Sequence, residues 1–230
     1  MPVSYIGATS TVSESGGNSF VTINSHGSEQ TGHLLLQAWW LPTDITSVTP
    51  SRGDWTFLLE RDTSLGPFAL WLAFSTSENA TVRWDWNATT REFGGVKLIV
   101  SGADNTHPFQ VGPLHSGADT GQTLSLPSMT PLEAGGMAVH WLTARYSSAV
   151  SSKSIGTVTG HTMSTAQSGS YSGAGHAVRF ARRDNVPANT ATGALSTTAT
   201  ATTTGWRVLS GVLREPRPWT PQNKQFHTHA

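Results

Sequence analysis

Three acidic residues stand where glycan chemistry would want them: Asp85 between Trp84 and Trp86, and Glu60 two positions before Asp62. Paired carboxylates cleave glycosidic bonds when they face each other about 5–9.5 Å apart across a cleft, one of them held protonated. An indole ring beside them gives a sugar a flat apolar platform. In a strand, however, neighbouring side chains point to opposite faces, so Asp85 should turn away from both flanking rings. Trp84 and Trp86 are therefore read as packing residues first and as glycan contacts second, and Trp55 and Trp219, which also have polar neighbours, are read in the same way.

Other devices are scarcer. Gly169-Ser170-Tyr171-Ser172-Gly173 has the spelling of a serine nucleophile elbow, but it lies in a Ser/Gly/Thr-rich stretch and not at a strand-to-helix turn. No zinc-binding His-Glu-x-x-His, P-loop or dinucleotide glycine motif occurs. The nine histidines are scattered, and the close pair His227-Thr228-His229 falls near the C-terminus. Cysteine is absent, which removes disulfides and thiolate metal ligands. These residues predict no catalytic centre, no cofactor and no metal.

The elements that would position such residues are strands. Ser and Thr make up about a quarter of the 230 residues, beside 23 Gly and 12 Pro, a composition suited to short strands and tight turns. Tyr5–Val12 and Phe20–Ile23, parted by a Ser/Gly turn, predict a hairpin. Leu34-Leu35-Leu36-Gln37-Ala38-Trp39-Trp40 is too apolar for a half-exposed strand and predicts a central one covered on both sides. Strands follow at Gly53–Glu60, Pro67–Phe74, Thr81–Trp86 and Gly95–Gly102, and then at Thr123–Leu126, Met137–Leu142, Ala177–Arg182 and Trp206–Leu213. Trp39, Trp71, Trp141 and Trp206 lie inside apolar runs and are assigned to the core. Thr197–Thr204 reads as a Thr-rich strand near an edge, and Arg145–Ala174 reads mostly as a long surface loop with a short strand at Ile155–Val158.

Without βαβ alternation, these strands predict an all-β, antiparallel two-sheet sandwich, jelly-roll-like, over residues 1–214. Residues 215–230 change character. Pro216, Arg217, Pro218 and Trp219 suit an extended polyproline-like arm and are the candidate partner-contact residues.

Charged residues are 12% of the chain and formally balanced, which argues against phosphate-directed nucleic-acid binding. The small basic clusters, Arg182-Arg183 and Arg214 with Arg217, read as solvated strand ends. No apolar run nears the roughly 18 residues a membrane span needs, and the N-terminus has no secretory pattern. The expectation is a protein made in the cytoplasm, for which the sequons at Asn79 and Asn87 carry little weight.

The order of segments resembles a group of tail-associated and other virion proteins of actinobacterial phages, over nearly the whole chain. The resemblance rests on Val3-Ser4-Tyr5-Ile6-Gly7-Ala8-Thr9-Ser10, Gly32-His33-Leu34-Leu35-Leu36, Ser51-Arg52-Gly53-Asp54-Trp55-Thr56-Phe57-Leu58, Leu98-Ile99-Val100-Ser101-Gly102-Ala103-Asp104, Leu126-Pro127-Ser128-Met129-Thr130-Pro131 and Gly205-Trp206-Arg207-Val208-Leu209-Ser210-Gly211-Val212-Leu213. It implies a non-enzymatic β-sandwich module of a virion, at the tail or on the head, with no catalytic residues to carry over. The expected partners are other virion proteins and further copies of the chain, with a host-surface glycan as the alternative ligand. The chain is short and lacks a coiled-coil or collagen-like stalk, which disfavours a fibre shaft.

Overall fold

The computed structural model describes residues 2–12, 17–64, 68–76, 81–90, 92–118, 120–147, 154–164, 167–171 and 174–216. Within them the chain is all-β, with fifteen strands and no helix. A five-stranded antiparallel sheet is ordered β1 (Ser4–Val12), β8 (Gly94–Ser101), β3 (Leu34–Pro42), β6 (Phe68–Ser75), β5 (Thr56–Asp62). A three-stranded sheet is ordered β2 (Asn18–Ile23), β7 (Val82–Thr90), β4 (Val48–Pro50). The seven-stranded sheet runs β10 (Gly121–Leu126), β15 (Leu195–Leu213), β11 (Gly136–Tyr146), β14 (Ala174–Val186), β12 (Thr162–Met163), with β9 (Phe109–Ala118) on β15 and β13 (Gln167–Tyr171) on β14.

Alternation along β3 explains the layering. Leu34, Leu36, Ala38 and Trp40 share one cluster with Met137, Val139 and Trp141 of β11, Val178 and Phe180 of β14, and Leu209 and Leu213 of β15. Leu35, Trp39 and Leu41 share another with Val82, Trp84 and Trp86 of β7, together with Ile23 and Val48. The five-stranded sheet is thus the middle layer, faced by the seven-stranded sheet on one side and by the three-stranded sheet on the other. The predicted sandwich of antiparallel sheets is present, and a third sheet is added to it. The double burial expected of Leu34–Trp40 holds throughout. So does the alternation of β7, which buries Val82, Trp84 and Trp86 and turns Arg83 outward.

The second cluster is mainly indole. Trp39 meets Trp84 and Trp86 edge-on at 5.9 Å each, and Trp55 meets Trp84 at 5.0 Å, the geometry that ring quadrupoles favour. Gly95 lies opposite Trp39 across the β3–β8 ladder, and a Cβ there would overlap the Trp39 ring. That is a packing reason for glycine at an interior strand position.

Several expectations are corrected. Tyr5–Val12 and Phe20–Ile23 do not form a hairpin: β1 pairs with β8 and β2 with β7, in different sheets. The first eight strands wind two layers together, β5 excepted, because each chain segment must alternate between the two faces of the Trp-rich core. Thr197–Thr204 is not a separate strand but the start of β15, continuing into Trp206–Leu213; it does lie near an edge, with Thr197 and Thr198 paired to β10, the end strand of the sheet order, and a single bridge from Ala199 to Ile155 on the other side. The described residues of the stretch 145–174 hold more than surface loop, with β12 and β13 among them. Ile155 and Val158 are buried in a third cluster on the far face of the seven-stranded sheet, against Leu142, Tyr146, Ala177, Ala181 and Trp206.

Four strands were not expected, β4, β9, β12 and β13. β9 contains the cis Gly112-Pro113 bond, and its residues read as turn formers.

Truncating Trp84 removes the ring on which Trp39, Trp55 and Phe57 all pack. Trp84→Ala is expected to lower unfolding free energy by about 3–5 kcal/mol. Leu132→Ala, at a 61% exposed position, should change it by less than about 0.5 kcal/mol. Urea midpoints for the two variants check the contrast.

Candidate functional site

The residues singled out for glycan chemistry do not make a site. Trp84 is 0% and Trp86 5% exposed, and the Trp86 indole nitrogen donates to the Asn18 carbonyl at 2.8 Å. Neither ring offers a face to a sugar, because both point from the three-stranded sheet into the five-stranded one. Asp85 is held by Arg83 at 2.6 Å on the outer surface of β7, and the Arg83 guanidinium lies 3.8 Å from the Phe20 ring centre. Glu60 is exposed on β5, and the Asp62 carboxylate accepts the Ser64 N–H at 2.7 Å as a turn cap. These acids sit in different sheets from Asp85. Ser170 lies in strand β13 and not at a strand-to-helix turn.

Pro216 is exposed. Arg217, Pro218, Trp219, His227, His229 and Asn79 lie outside the described residues. The side chain of Asn87 brackets a turn, accepting from the Thr46 and Ser47 N–H groups and donating to the Thr46 hydroxyl.

The polar groups arranged most tightly are ones the sequence reading passed over. On β8, Lys97 is 1% exposed and meets Glu29 at 2.9 Å, with a second bond to the Asn24 carbonyl. Glu29 also accepts from the Ser25 hydroxyl and the His26 N–H. Burial alone would raise its pKa, but these bonds and Lys97 together hold it down at about 2. The pair fastens the 24–29 loop across the sheet.

A second group joins β11, β15 and the 159–161 turn. His140 Nδ1 lies 2.7 Å from Ser210 Oγ, and His140 Nε2 lies 3.1 Å from His161 Nε2. His161 Nδ1 faces the Thr159 carbonyl at 3.0 Å. A carbonyl only accepts, so His161 must be protonated at Nδ1 and must accept at Nε2. His140 then donates from Nε2, and its Nδ1 accepts the Ser210 proton.

A serine hydroxyl donating to an imidazole is the first half of a nucleophile–base pair. Here both residues are completely buried. Burial, reinforced by His161, depresses the His140 pKa to about 3, too low for a base working near neutrality. The chain of bonds instead locks the turn onto the sheet.

The third group lies between the five- and seven-stranded sheets. The Thr143 hydroxyl and His176 Nε2 are in close contact, and the Phe68 ring covers His176 at 5.1 Å. Arg145 pairs with Glu92, whose carboxyl is pushed up by burial and by Asp44 despite that partner. Arg207 donates to the Phe68 carbonyl at 2.9 Å and the Asp62 carbonyl at 3.3 Å. Burial holds His176 at about 3.

Among the described residues, no group of three or more His, Asp or Glu is placed to hold a metal. Open grooves lie at sheet edges among the described residues. One, of about 320 Å³, is lined by Pro2, Ser4, Tyr5, Arg182, Asp184 and Asn185; another, of about 300 Å³, runs along Asn18, Phe20, Val21, Thr22 and Phe93. The Tyr5 ring is already committed, with Phe180 stacked at 6.4 Å and the Arg182 guanidinium at 4.0 Å. No family model, no curated protein and no solved structure matches the chain.

The buried histidines set an acid limit. In the unfolded chain they titrate near 6.5, and in the fold His140 and His176 titrate at about 3, so between these values the unfolded state binds more protons and stability falls as pH falls. The contribution of Glu29 is present above about 4.5 and is lost as pH drops toward 2. Thermal midpoints should therefore fall steadily from pH 7 to 4, with a shallower slope in His140→Gln; a flat profile would contradict the assignment.

Proposed function

We propose that this chain is a non-enzymatic structural protein of a bacteriophage particle, a minor tail protein that docks on other virion proteins. One observation supports this reading above the rest. His140, Ser210, His176, Lys97 and Arg207 are turned into the fold, and the outward features include sheet edges and open grooves. Unpaired edges and shallow polar grooves suit protein contact better than substrate capture.

The segments that carry the resemblance to actinobacterial phage virion proteins fall largely on β1, β3, β5, β8 and β15, the strands that build the layers. A likeness held in those segments is a likeness of scaffold, as a particle component requires. Copies arranged symmetrically around a tail fit this role. A head decoration protein would share the scaffold and differ in location. The glycan-binding alternative loses Trp84 and Trp86 to the core.

Antibody labelling of purified particles is expected to mark the tail, and deletion of Glu215–Ala230 is expected to abolish incorporation. Label on capsid faces would assign the chain to the head, and its absence from particles would reject the virion role.

A further inference from the structure

A strand at the end of a sheet turns one row of backbone N–H and C=O groups outward, and proteins blunt such edges with charge, proline, bulges or cover. Several edges here are blunted in these ways. β5 carries Glu60, Arg61 and Asp62 and two register shifts. β4 is three residues long and ends in Pro50, and β9 holds Pro113. β1 lies against β14 through Tyr5, which meets Phe180 and Arg182. β10 is uncharged, but its exposed side chains are the polar Gln122, Thr123 and Ser125.

β2 differs from these. It ends the three-stranded sheet with neither a charge nor a proline. Residues 20–23 run along β7 without a register shift, and among the described residues nothing bonds the outward backbone groups of residues 19–23. Phe20 is 39% exposed on the outer face, with Thr22 exposed beside it, whereas Val21 and Ile23 face the Trp-rich core. The groove of about 300 Å³ bounded by Phe20, Val21, Thr22 and Phe93 lies open along this edge, and it gives the side chains of an added strand a place to lie.

The strand that suits this edge is β2 itself. A two-fold axis at Val21, perpendicular to the sheet, keeps inward residues with inward residues, as the side-chain period of two demands. Val21 then faces Val21 of the partner subunit on the inner side, and Phe20 faces Thr22 of the partner subunit on the outer side. No charge on either strand meets its like, which would be unfavourable directly opposite. We propose that two copies of this chain join antiparallel through their β2 edges, so that two three-stranded sheets become one of six strands. This pairing does not depend on a place in a virion: a particle component and a free protein would pair alike.

Sedimentation equilibrium of the full wild-type chain should give a dimer. Phe20→Lys/Thr22→Lys sets lysine opposite lysine across the axis and should sediment as a monomer, and so should Phe20→Glu/Thr22→Glu. Mixing the two sets lysine opposite glutamate and should restore a dimer with one copy of each. Both positions are exposed, so each variant should keep the wild-type far-ultraviolet circular dichroism spectrum. Hydrogen exchange needs no variant: amides of β2 should slow as the wild-type concentration rises, and those of β4, the opposite edge, should not. A monomeric wild type, a dimer that survives both double substitutions, a mixture that stays monomeric, or β2 exchange that ignores concentration overturns the pairing.

Discussion

A strand with no wet face, Leu34–Pro42, sets the architecture. Apart from Gln37, its even-numbered and odd-numbered side chains are apolar, and all but Pro42 are buried, so it is stable only with a layer on either side. The seven-stranded sheet supplies one layer through Trp141, Phe180 and Leu209, and the small sheet supplies the other through Val82, Trp84 and Trp86. Each large apolar side chain so buried contributes on the order of 1.5–3 kcal/mol. Within the same sheet Gly95 sits against Trp39, whose indole lies over the neighbouring β8 backbone and leaves no room for a cross-strand side chain. The far face of the seven-stranded sheet repeats the problem, and Ile155 and Val158 roof it.

A three-layer stack leaves few interior positions that reach water, and the polar residues found there must meet their needs locally. Lys97 and Glu29 do so as an ion pair, and His140 does so by relaying bonds from Ser210 to the Thr159 carbonyl through His161. These networks fix loops to sheets: residues 24–29 in one case, 159–161 in the other. Burial keeps His140 and His176 neutral. Edges and grooves remain outside, and the proposed docking role rests on that division.

Strand identity was legible wherever one face, or both, declared itself. The unbroken apolar run of β3 and the strict alternation of Val82, Arg83, Trp84, Asp85 and Trp86 both predicted the burial that the structure has. Pairing was not legible, because β1 finds β8 about ninety residues away and nothing local encodes that ladder. β9 was hidden by Gly112, Pro113 and His115. The roof was hidden because Ile155 and Val158 are isolated in a polar stretch. The buried polar sites did leave a signal: His140 interrupts Met137–Leu142, and Arg207 stands between Trp206 and Val208. A polar residue inside a strand apolar on both faces must be satisfied internally, and that rule would have found both.

The central claim is that the five-stranded sheet is a middle layer, and amide hydrogen exchange tests it strand by strand. Amides of β3 and β8 should exchange only through global unfolding and be the slowest in the chain, with those of β2 and β4 faster. Exchange of β3 at the rate of the outer three-stranded sheet would contradict the layering.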